Sequence, residues 1–299
     1  MNRSIVFLIV LLSASLPLTA QQLMTASLYD LHGSLHNPAM AGSSGHAVIG
    51  ASYRSMWDGI EGSPRTTLLF GSAYLPGAKI GLGGYLYNDV TGPTRRTGIQ
   101  TSYAYHIPLE NGGRFSLGLE ARFQQFGIDK SKIQASLGND PVMGTSENRF
   151  RGDAGLGIGY SSRKWQLGAA VSQLVQSKLD VYSGTLSRTE EARLYRHYYL
   201  HGNYTWQADA ATRIIPHFLF IYLPNSPMEF QGGARVEHNE LFWWGLSLRA
   251  RQSWMLSAGV KIQKKFLVGY SFDIYSNPLS VYDKGANAHE LMLRYDFLK

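Results

Sequence analysis

The sequence contains no cysteine among its 299 residues. This absence excludes disulfide bonds, thiolate metal sites, a cysteine nucleophile and a lipid-modified N-terminal cysteine. Charged residues are also scarce, at 16% of the chain, where a soluble domain has roughly a quarter. The formal net charge of +7 is modest, and no basic cluster accompanies it. We therefore expect no nucleic-acid partner.

Long apolar runs are missing beyond the N-terminus. In the remainder of the chain the longest uninterrupted stretch is FLFIYL, Phe218 to Leu223. Such a run is too short to cross a bilayer as a helix. The first residues, MNRSIVFLIVLLSASLPLTA, have a positive start, an apolar core and small or polar residues before QQ. These features are typical of a secretory signal peptide, so we assign residues 1–20 to one that is cut after Ala20. An uncleaved membrane anchor is the alternative.

Glycine and tyrosine are abundant, at 32 and 18 residues, and the mean hydropathy is -0.16. Middling hydropathy with little charge suits a β-barrel, whose apolar lipid face is averaged with a polar lumen. Apolar and polar residues alternate along many segments, which indicates strands with two different faces. In the last segment, Leu291, Leu293, Tyr295 and Phe297 alternate with Glu290, Met292, Arg294 and Asp296.

About fourteen such segments have the length of a tilted strand that crosses a bilayer. Their predicted spans are 46–54, 65–75, 79–88, 95–107, 114–126, 149–160, 164–175, 193–207, 213–222, 228–238, 241–250, 252–262, 266–274 and 289–298. Short and long connections tend to alternate, as they do between the periplasmic turns and outer loops of outer-membrane barrels. Alternation alone also fits a soluble β-sandwich, so loop lengths and strand number decide.

We therefore predict an all-β fold, a transmembrane antiparallel β-barrel of about fourteen strands over residues 46–299. A closed barrel has no edge strand, so the last strand is expected to pair with the first. Residues 21–45 do not alternate, although Leu28, Leu31 and Leu35 have the spacing of an amphipathic helical turn. We assign this stretch to a periplasmic N-terminal segment that lies at or inside the periplasmic mouth of the barrel.

Several stretches resemble functional sites only superficially. GLGGYLYND and GLGIGY lack the GxGxxG spacing of a dinucleotide loop, and Gly155, Gly157 and Gly159 fit small lumen-facing residues of a strand. On a strand, His197 and His201 would be about 13 Å apart, too far to share one metal ion. No stretch resembles a nucleophile elbow, although scattered Ser, His and Asp residues leave a triad open. We expect no catalytic residue, no cofactor and no metal.

Three signatures stand out as shaped turns: HNPAMAG (36–42), YRSMWDGIEGSPRT (53–66) and NDVTGPTRRTGIQTSYAYHIPL (88–109). Glycine and proline in them mark tight turns, whose tips are also candidate docking surfaces. With the closing GANAHE they give the candidate partner-contact residues, which are Asn37, Pro38, Gly42, Trp57, Gly59, Gly62, Pro64, Gly92, Pro93, His289 and Glu290.

These signatures in this order, together with the closing VGYSFDIYSNPLSVYDKGANAHELMLRYDF, resemble the PorP/SprF family across the mature chain. The resemblance implies a non-enzymatic barrel in the outer membrane, part of the type IX secretion and gliding machinery. It implies outer-membrane lipid, periplasmic and outer-membrane secretion-system proteins and, for some members, one large secreted surface protein as partners. The segment at Asn37 and Pro38 would then face periplasmic partners. Loops 127–148, 176–192 and 275–288 would face secreted cargo. A passive porin and an outer-membrane hydrolase are the alternatives.

Overall fold

The computed structural model gives the placement of most of the mature chain. It describes residues 24–57, 60–129, 131–132, 147–178, 193–224, 226–276 and 287–298. The predicted signal peptide, 1–20, and the candidate residue Gly59 lie outside the described residues, as do most of the three loops expected to face cargo.

Strands account for nearly all of the regular structure in the described residues. They are β1 Ala47–Met56, β2 Arg65–Leu75, β3 Ile80–Thr91, β4 Thr94–Pro108, β5 Arg114–Ile128, β6 Glu147–Ser161, β7 Trp165–Ser172, β8 His197–Tyr204, β9 Trp206–Gln207, β10 Thr212–Tyr222, β11 Glu229–His238, β12 Phe242–Arg249, β13 Ser253–Ile262, β14 Phe266–Tyr275 and β15 Ala288–Phe297. Two short 3-10 turns, Tyr29–Leu31 and Pro38–Met40, precede them.

Apart from β8 and β9, which do not pair with each other, each strand pairs antiparallel with its sequence neighbours, and the sheet closes on itself. The closing pair is β1 with β15, in a register that sets Ala47 opposite Phe297 and Met56 opposite Ala288. Strands β8 and β9 both pair with β10. Together they form one strand of the barrel, interrupted at Thr205. With β8 and β9 counted as one, the described strands therefore make a closed barrel of fourteen strands. This confirms the predicted fold class and the pairing of the last strand with the first.

The outer face of the barrel is apolar, as the alternation predicts. Leu246 and Leu256, which lie opposite each other on β12 and β13, are each 46% exposed. On β15, Leu291, Leu293, Tyr295 and Phe297 are exposed, whereas Glu290 and Met292 are buried inside. A continuous apolar exterior with polar residues inside is the arrangement that a bilayer requires of strands. Among the described residues, no helix is long and apolar enough to cross a membrane.

Tight turns close one end of the barrel, which we call the short-turn end. Asn239 and Glu240 have φ of 52° and 53°, and Gln263 and Lys264 have 52° and 59°. Two successive positive φ values define the type I′ turn that suits the twist of a hairpin. In the β9–β10 turn, the Asp209 carboxylate accepts the backbone N–H of Ala211 at 2.7 Å, and this bond lowers the pKa of Asp209. The opposite end, with the longer connections, is the long-loop end.

Two predicted strands are shorter in the structure. The seventh was predicted to reach residue 175, but β7 stops at Ser172 because Gln173 adopts a left-handed φ of 59°, which breaks the extended backbone. The eighth was predicted over 193–207, but it begins at His197 and is interrupted at Thr205. Apolar and aromatic composition alone did not reveal these backbone breaks.

The lipid face can be tested with one charge on each face of β13. Leu256→Arg at mid-barrel is expected to destabilise the folded protein by about 2–4 kcal/mol, because it places a charge in hydrocarbon. Ser257→Arg, on the inner face, is expected to cost less. The measurement is the urea dependence of folding into lipid vesicles. A larger loss for Ser257→Arg would contradict the assigned facing.

Residues 24–45 run through the barrel and are called the plug, with Ser44 and Gly45 exposed at its end. Most of its residues from Ala26 to Ala41 are buried, with Leu28 at 1% exposure and Ala39 and Ala41 at 0%. Met24 and Thr25 lie near Trp57 and Pro64 at the long-loop end. Gly42 lies against Ala73 and Gly81 at the short-turn end. The plug therefore runs the height of the lumen before β1 begins.

Candidate functional site: the plugged lumen and the long-loop mouth

A buried polar cluster attaches the upper plug to the wall near the long-loop end. The Glu290 carboxylate accepts the backbone N–H of Ser27 at 2.5 Å and lies 3.2 Å from Nε2 of His32. Ser27 also donates its hydroxyl to Asp273 at 2.7 Å. Arg54 completes the cluster, with one guanidinium nitrogen 2.7 Å from Asp273 and another 3.5 Å from Glu290. Because these groups are buried, each depends on the others for its hydrogen bonds.

Apolar side chains hold the middle of the plug. Leu28, Leu31 and Leu35 form one buried cluster with inward-facing residues of the wall. The wall residues of this cluster are Leu68, Phe70, Tyr85, Tyr87, Tyr199, Leu219, Trp243, Leu267 and Met292. The spacing noted in the sequence therefore marks a packed face. Such burial removes apolar area from water at about 25 cal/mol per Å², so this cluster favours the plugged state.

Asn37 anchors the lower plug. Its side-chain oxygen accepts the N–H of Ala39 at 2.9 Å and caps the turn Pro38–Met40. Its amide nitrogen donates to the carbonyl of Ile158 at 2.9 Å and lies 3.0 Å from Nε2 of His201. Asn37 is 0% exposed. One side chain thus shapes the plug and joins it to two strands of the wall.

Glycines on the inner face of the wall make room for the plug. A Cβ at Gly118 would lie 2.1 Å from the backbone nitrogen of Ala39, and one at Gly157 would lie 2.1 Å from Oδ1 of Asn37. At Gly81 it would lie 1.9 Å from the carbonyl oxygen of Ala41. A real Cβ does not approach backbone atoms so closely. Of the glycines that we interpreted as small lumen residues, Gly157 is therefore needed for close contact with the NPAMAG turn, and Gly81 and Gly118 serve the same purpose.

Loss of the Asn37 side chain should loosen the lower plug. Asn37→Ala removes a cap and leaves a buried carbonyl without its donor, which together should cost about 2 kcal/mol. Hydrogen exchange of the amides of Ala39 and Ala41 should accelerate accordingly. Asn111→Ala, in the exposed β4–β5 turn, is the control and should leave these amides unchanged. Equal protection in wild type and Asn37→Ala would contradict this anchoring role.

Several other candidate residues meet at the long-loop mouth. The backbone N–H of Gly92 donates to the carbonyl of Gly62 at 2.7 Å, which joins the β1–β2 and β3–β4 turns. Both glycines have positive φ, 76° at Gly62 and 55° at Gly92. The carbonyl of Pro64 accepts Met56 N–H at 3.0 Å, and that of Pro93 accepts Asp129 N–H at 2.8 Å. Backbone bonds therefore fix the shape of this rim.

Trp57 lies beside this rim in an unusual conformation. Its φ is 55°, which is rare for a bulky side chain. Its N–H donates to the carbonyl of Asn287 at 3.1 Å, and its own carbonyl accepts Ile60 N–H at 2.9 Å. Its ring lies edge-on to Tyr275 with centroids 6.2 Å apart. These contacts hold Trp57 at the mouth.

The structure divides the candidate residues into two groups and separates the pair His289 and Glu290. Glu290 points inward to the plug, whereas His289 lies 2.6 Å from the Tyr270 hydroxyl on the outer face. Asn37, Pro38 and Gly42 belong to the plug. Trp57, Gly62, Pro64, Gly92 and Pro93 belong to the mouth. Sequence reasoning missed Ser27, His32, Arg54 and Asp273. The strand periodicity could have placed Arg54 and Asp273 inside, but nothing local identifies their partners.

Two serine–histidine pairs inside the barrel contact the plug through their histidine side chains. Nδ1 of His106 lies 2.7 Å from the Ser116 hydroxyl, while its Nε2 donates to the Ala41 carbonyl at 2.8 Å. Nε2 of His217 lies 3.4 Å from the Ser247 hydroxyl, and its Nδ1 lies 2.7 Å from the Tyr29 hydroxyl. Both histidines use their second nitrogen to bind the plug. Within the described ranges, no group of three His, Asp or Glu side chains is placed to hold a metal ion.

A closed barrel with an apolar exterior and an interior filled by its own N-terminal segment defines an outer-membrane β-barrel protein. The chain belongs to the family of type IX secretion system membrane proteins PorP/SprF, which it matches over residues 18–295. No curated protein sequence matches it. The family match confirms the resemblance noted in the sequence and places the protein in the outer membrane.

Solved outer-membrane barrels are similar in outline. Omp33 of Acinetobacter baumannii aligns over 84% of this chain and 98% of its own, with 8% identity and a TM-score of 0.49. The CymD monoaromatic hydrocarbon channel aligns over 90% and 93%, with 10% identity and a TM-score of 0.49. The KdgM porin aligns over 84% and 99%, with 7% identity and a TM-score of 0.43. The strand pairing of this chain carries the fold assignment.

Proposed function

We propose that this protein is a non-enzymatic scaffold of the type IX secretion system that binds a secreted surface protein at its long-loop mouth. The observation that carries this proposal is the plug. A lumen filled along its height by residues 24–45 leaves binding at the ends of the barrel as its available function. The long-loop end is the outer one by the rule for outer-membrane barrels, so the mouth faces the cell exterior.

The periplasmic side of the proposal rests on the short-turn end. Asn37 and Pro38 are buried inside the barrel, so periplasmic secretion-system proteins would contact the surrounding turns rather than these residues. Exposed turn residues at this end include Lys79, Glu110, Lys164 and Lys265. We propose these turns as the surface that meets periplasmic partners.

A passive porin is the alternative that the plug disfavours. At mid-height, one space between the plug and strands β7, β8 and β10 is a cavity of about 40 Å³. It is lined by His36, His201 and His217 and has room for water but not for a solute of metabolite size. The porin alternative predicts steady ion conductance of the wild-type protein in planar bilayers, and the scaffold proposal predicts little.

Deletion of the gene in its own host tests the proposed function. Quantitative proteomics of the cell surface and the medium should show a reduced amount of secreted protein at the surface. Loss of many secreted proteins would indicate a component of the general apparatus. Loss or release of one large surface protein would indicate a dedicated anchor. Unchanged secretion, in a strain that also lacks any second copy of the gene, would overturn the proposal.

A further inference from the structure

A cavity of about 350 Å³ lies in the long-loop mouth, directly above the start of the plug. This volume falls within the range of about 300–1,000 Å³ that ligand pockets have. Inward-facing residues of β2 to β5 form its wall, so membrane lipid does not reach it. Met24 from the plug, Met56 at the end of β1, and the signature residues Trp57 and Pro64 complete the lining.

Two polar side chains of this cavity are hydrogen-bonded to each other. The Thr66 hydroxyl donates to the Asp89 carboxylate at 2.6 Å. Asp89 lies directly opposite Arg96 in the register of β3 and β4, so the charges of the wall offset each other. Beside these polar groups, five apolar residues of the lining are available to a ligand.

Met24, Met56, Trp57 and Phe126 supply that apolar surface. Methionine side chains are flexible and polarizable, so they adapt to the shape of an inserted group. The Trp57 indole N–H is buried and has no acceptor among the described residues. Buried tryptophan N–H groups normally have a partner, and a peptide carbonyl of a ligand could supply one.

We infer that the cavity receives a large apolar side chain of an extended peptide segment from the secreted protein, with Trp57 Nε1 donating to a carbonyl of that segment. This inference rests on the proposed function and adds the site and the chemistry of recognition. The left-handed conformation of Trp57 supports it, because strained backbone that neighbouring bonds maintain is common at binding sites. The peptide would bind by insertion of one anchor residue, as at many protein interfaces.

Site-specific photo-crosslinking in the native outer membrane tests this inference. A benzophenone amino acid replaces Thr94, which lines the cavity, or Thr97, which faces outward on the same strand. We expect Thr94 to yield an adduct with one segment of a secreted protein that the gene deletion also displaces, and Thr97 to yield none. Adducts of Thr94 with this chain only, or the same adduct from Thr97, would overturn the inference.

A cavity-filling variant provides a second readout. Thr94→Trp should reduce surface retention of that secreted protein by about tenfold or more, and Thr97→Trp should leave it unchanged. Both variants must show the heat-modifiable gel mobility of a folded barrel. Unchanged retention in a folded Thr94→Trp protein would overturn the inference while leaving the scaffold proposal intact. Unchanged secretion after gene deletion would instead overturn the scaffold proposal itself.

Discussion

Gly118→Val is expected to convert a barrel that does not conduct ions into one that does. In the wild-type protein, a Cβ at this position would lie 2.1 Å from the backbone nitrogen of Ala39 and 2.4 Å from the carbonyl carbon of Pro38. These are backbone atoms of a capped turn, so no flexible side chain can move aside. The plug must therefore move out of its position in the lumen. The diameter of a fourteen-stranded barrel lies between those of small filled barrels and wide aqueous porins, so an emptied lumen should conduct ions.

The measurement is single-channel conductance in planar bilayers, with Gly157→Val as a second variant that meets Oδ1 of Asn37 at 2.1 Å. Gly84→Val is the matched control. A Cβ at Gly84 would have its nearest contact 3.5 Å away, at the carbonyl oxygen of Gln100, which is ordinary packing. We expect lasting openings for Gly118→Val and Gly157→Val but not for the control. Equal conductance of the wild type would show that the plug does not close the lumen.

Glu290→Ala is expected to produce a large loss of stability. The Glu290 carboxylate accepts the N–H of Ser27, contacts His32 and Ser52, and lies 3.5 Å from a guanidinium nitrogen of Arg54. Breaking a buried ion pair by removing one partner costs about 3–5 kcal/mol. Arg54 keeps Asp273 at 2.7 Å, which places the expected cost toward the lower end of that range.

The neighbouring residue supplies the control. His289→Ala removes a contact with the Tyr270 hydroxyl and ring contacts on the outer face, and we expect it to cost less than about 1 kcal/mol. Urea titration of folded protein in lipid vesicles measures both variants. Protease cleavage within residues 24–32 should increase for Glu290→Ala alone. Equal stability of the two variants would mean that the Glu290 cluster does not hold the upper plug.

The two groups into which the structure divides the candidate residues differ in how much of their placement the sequence predicted. The turns at Gly62, Pro64, Gly92 and Pro93 were predicted from glycine and proline alone, because the local backbone decides where such residues fit. That these turns meet through one hydrogen bond between Gly62 and Gly92 was not predictable. Asn37 and Pro38 were identified as a signature, but their burial beneath β5, β6 and β7 was not.

The sequence by itself determined the barrel: its strands, apart from the breaks at Gln173 and Thr205, their order, the closing pair and the lipid face. Alternation with a period of two is a local property, and a bilayer permits strands only in a closed sheet. The tertiary structure decided what fills the lumen. Inward-facing polar residues and glycines look the same in sequence whether they face water or a plug. Contacts such as that of Ser27 with Glu290 join residues at opposite ends of the chain, which only the closed barrel brings together.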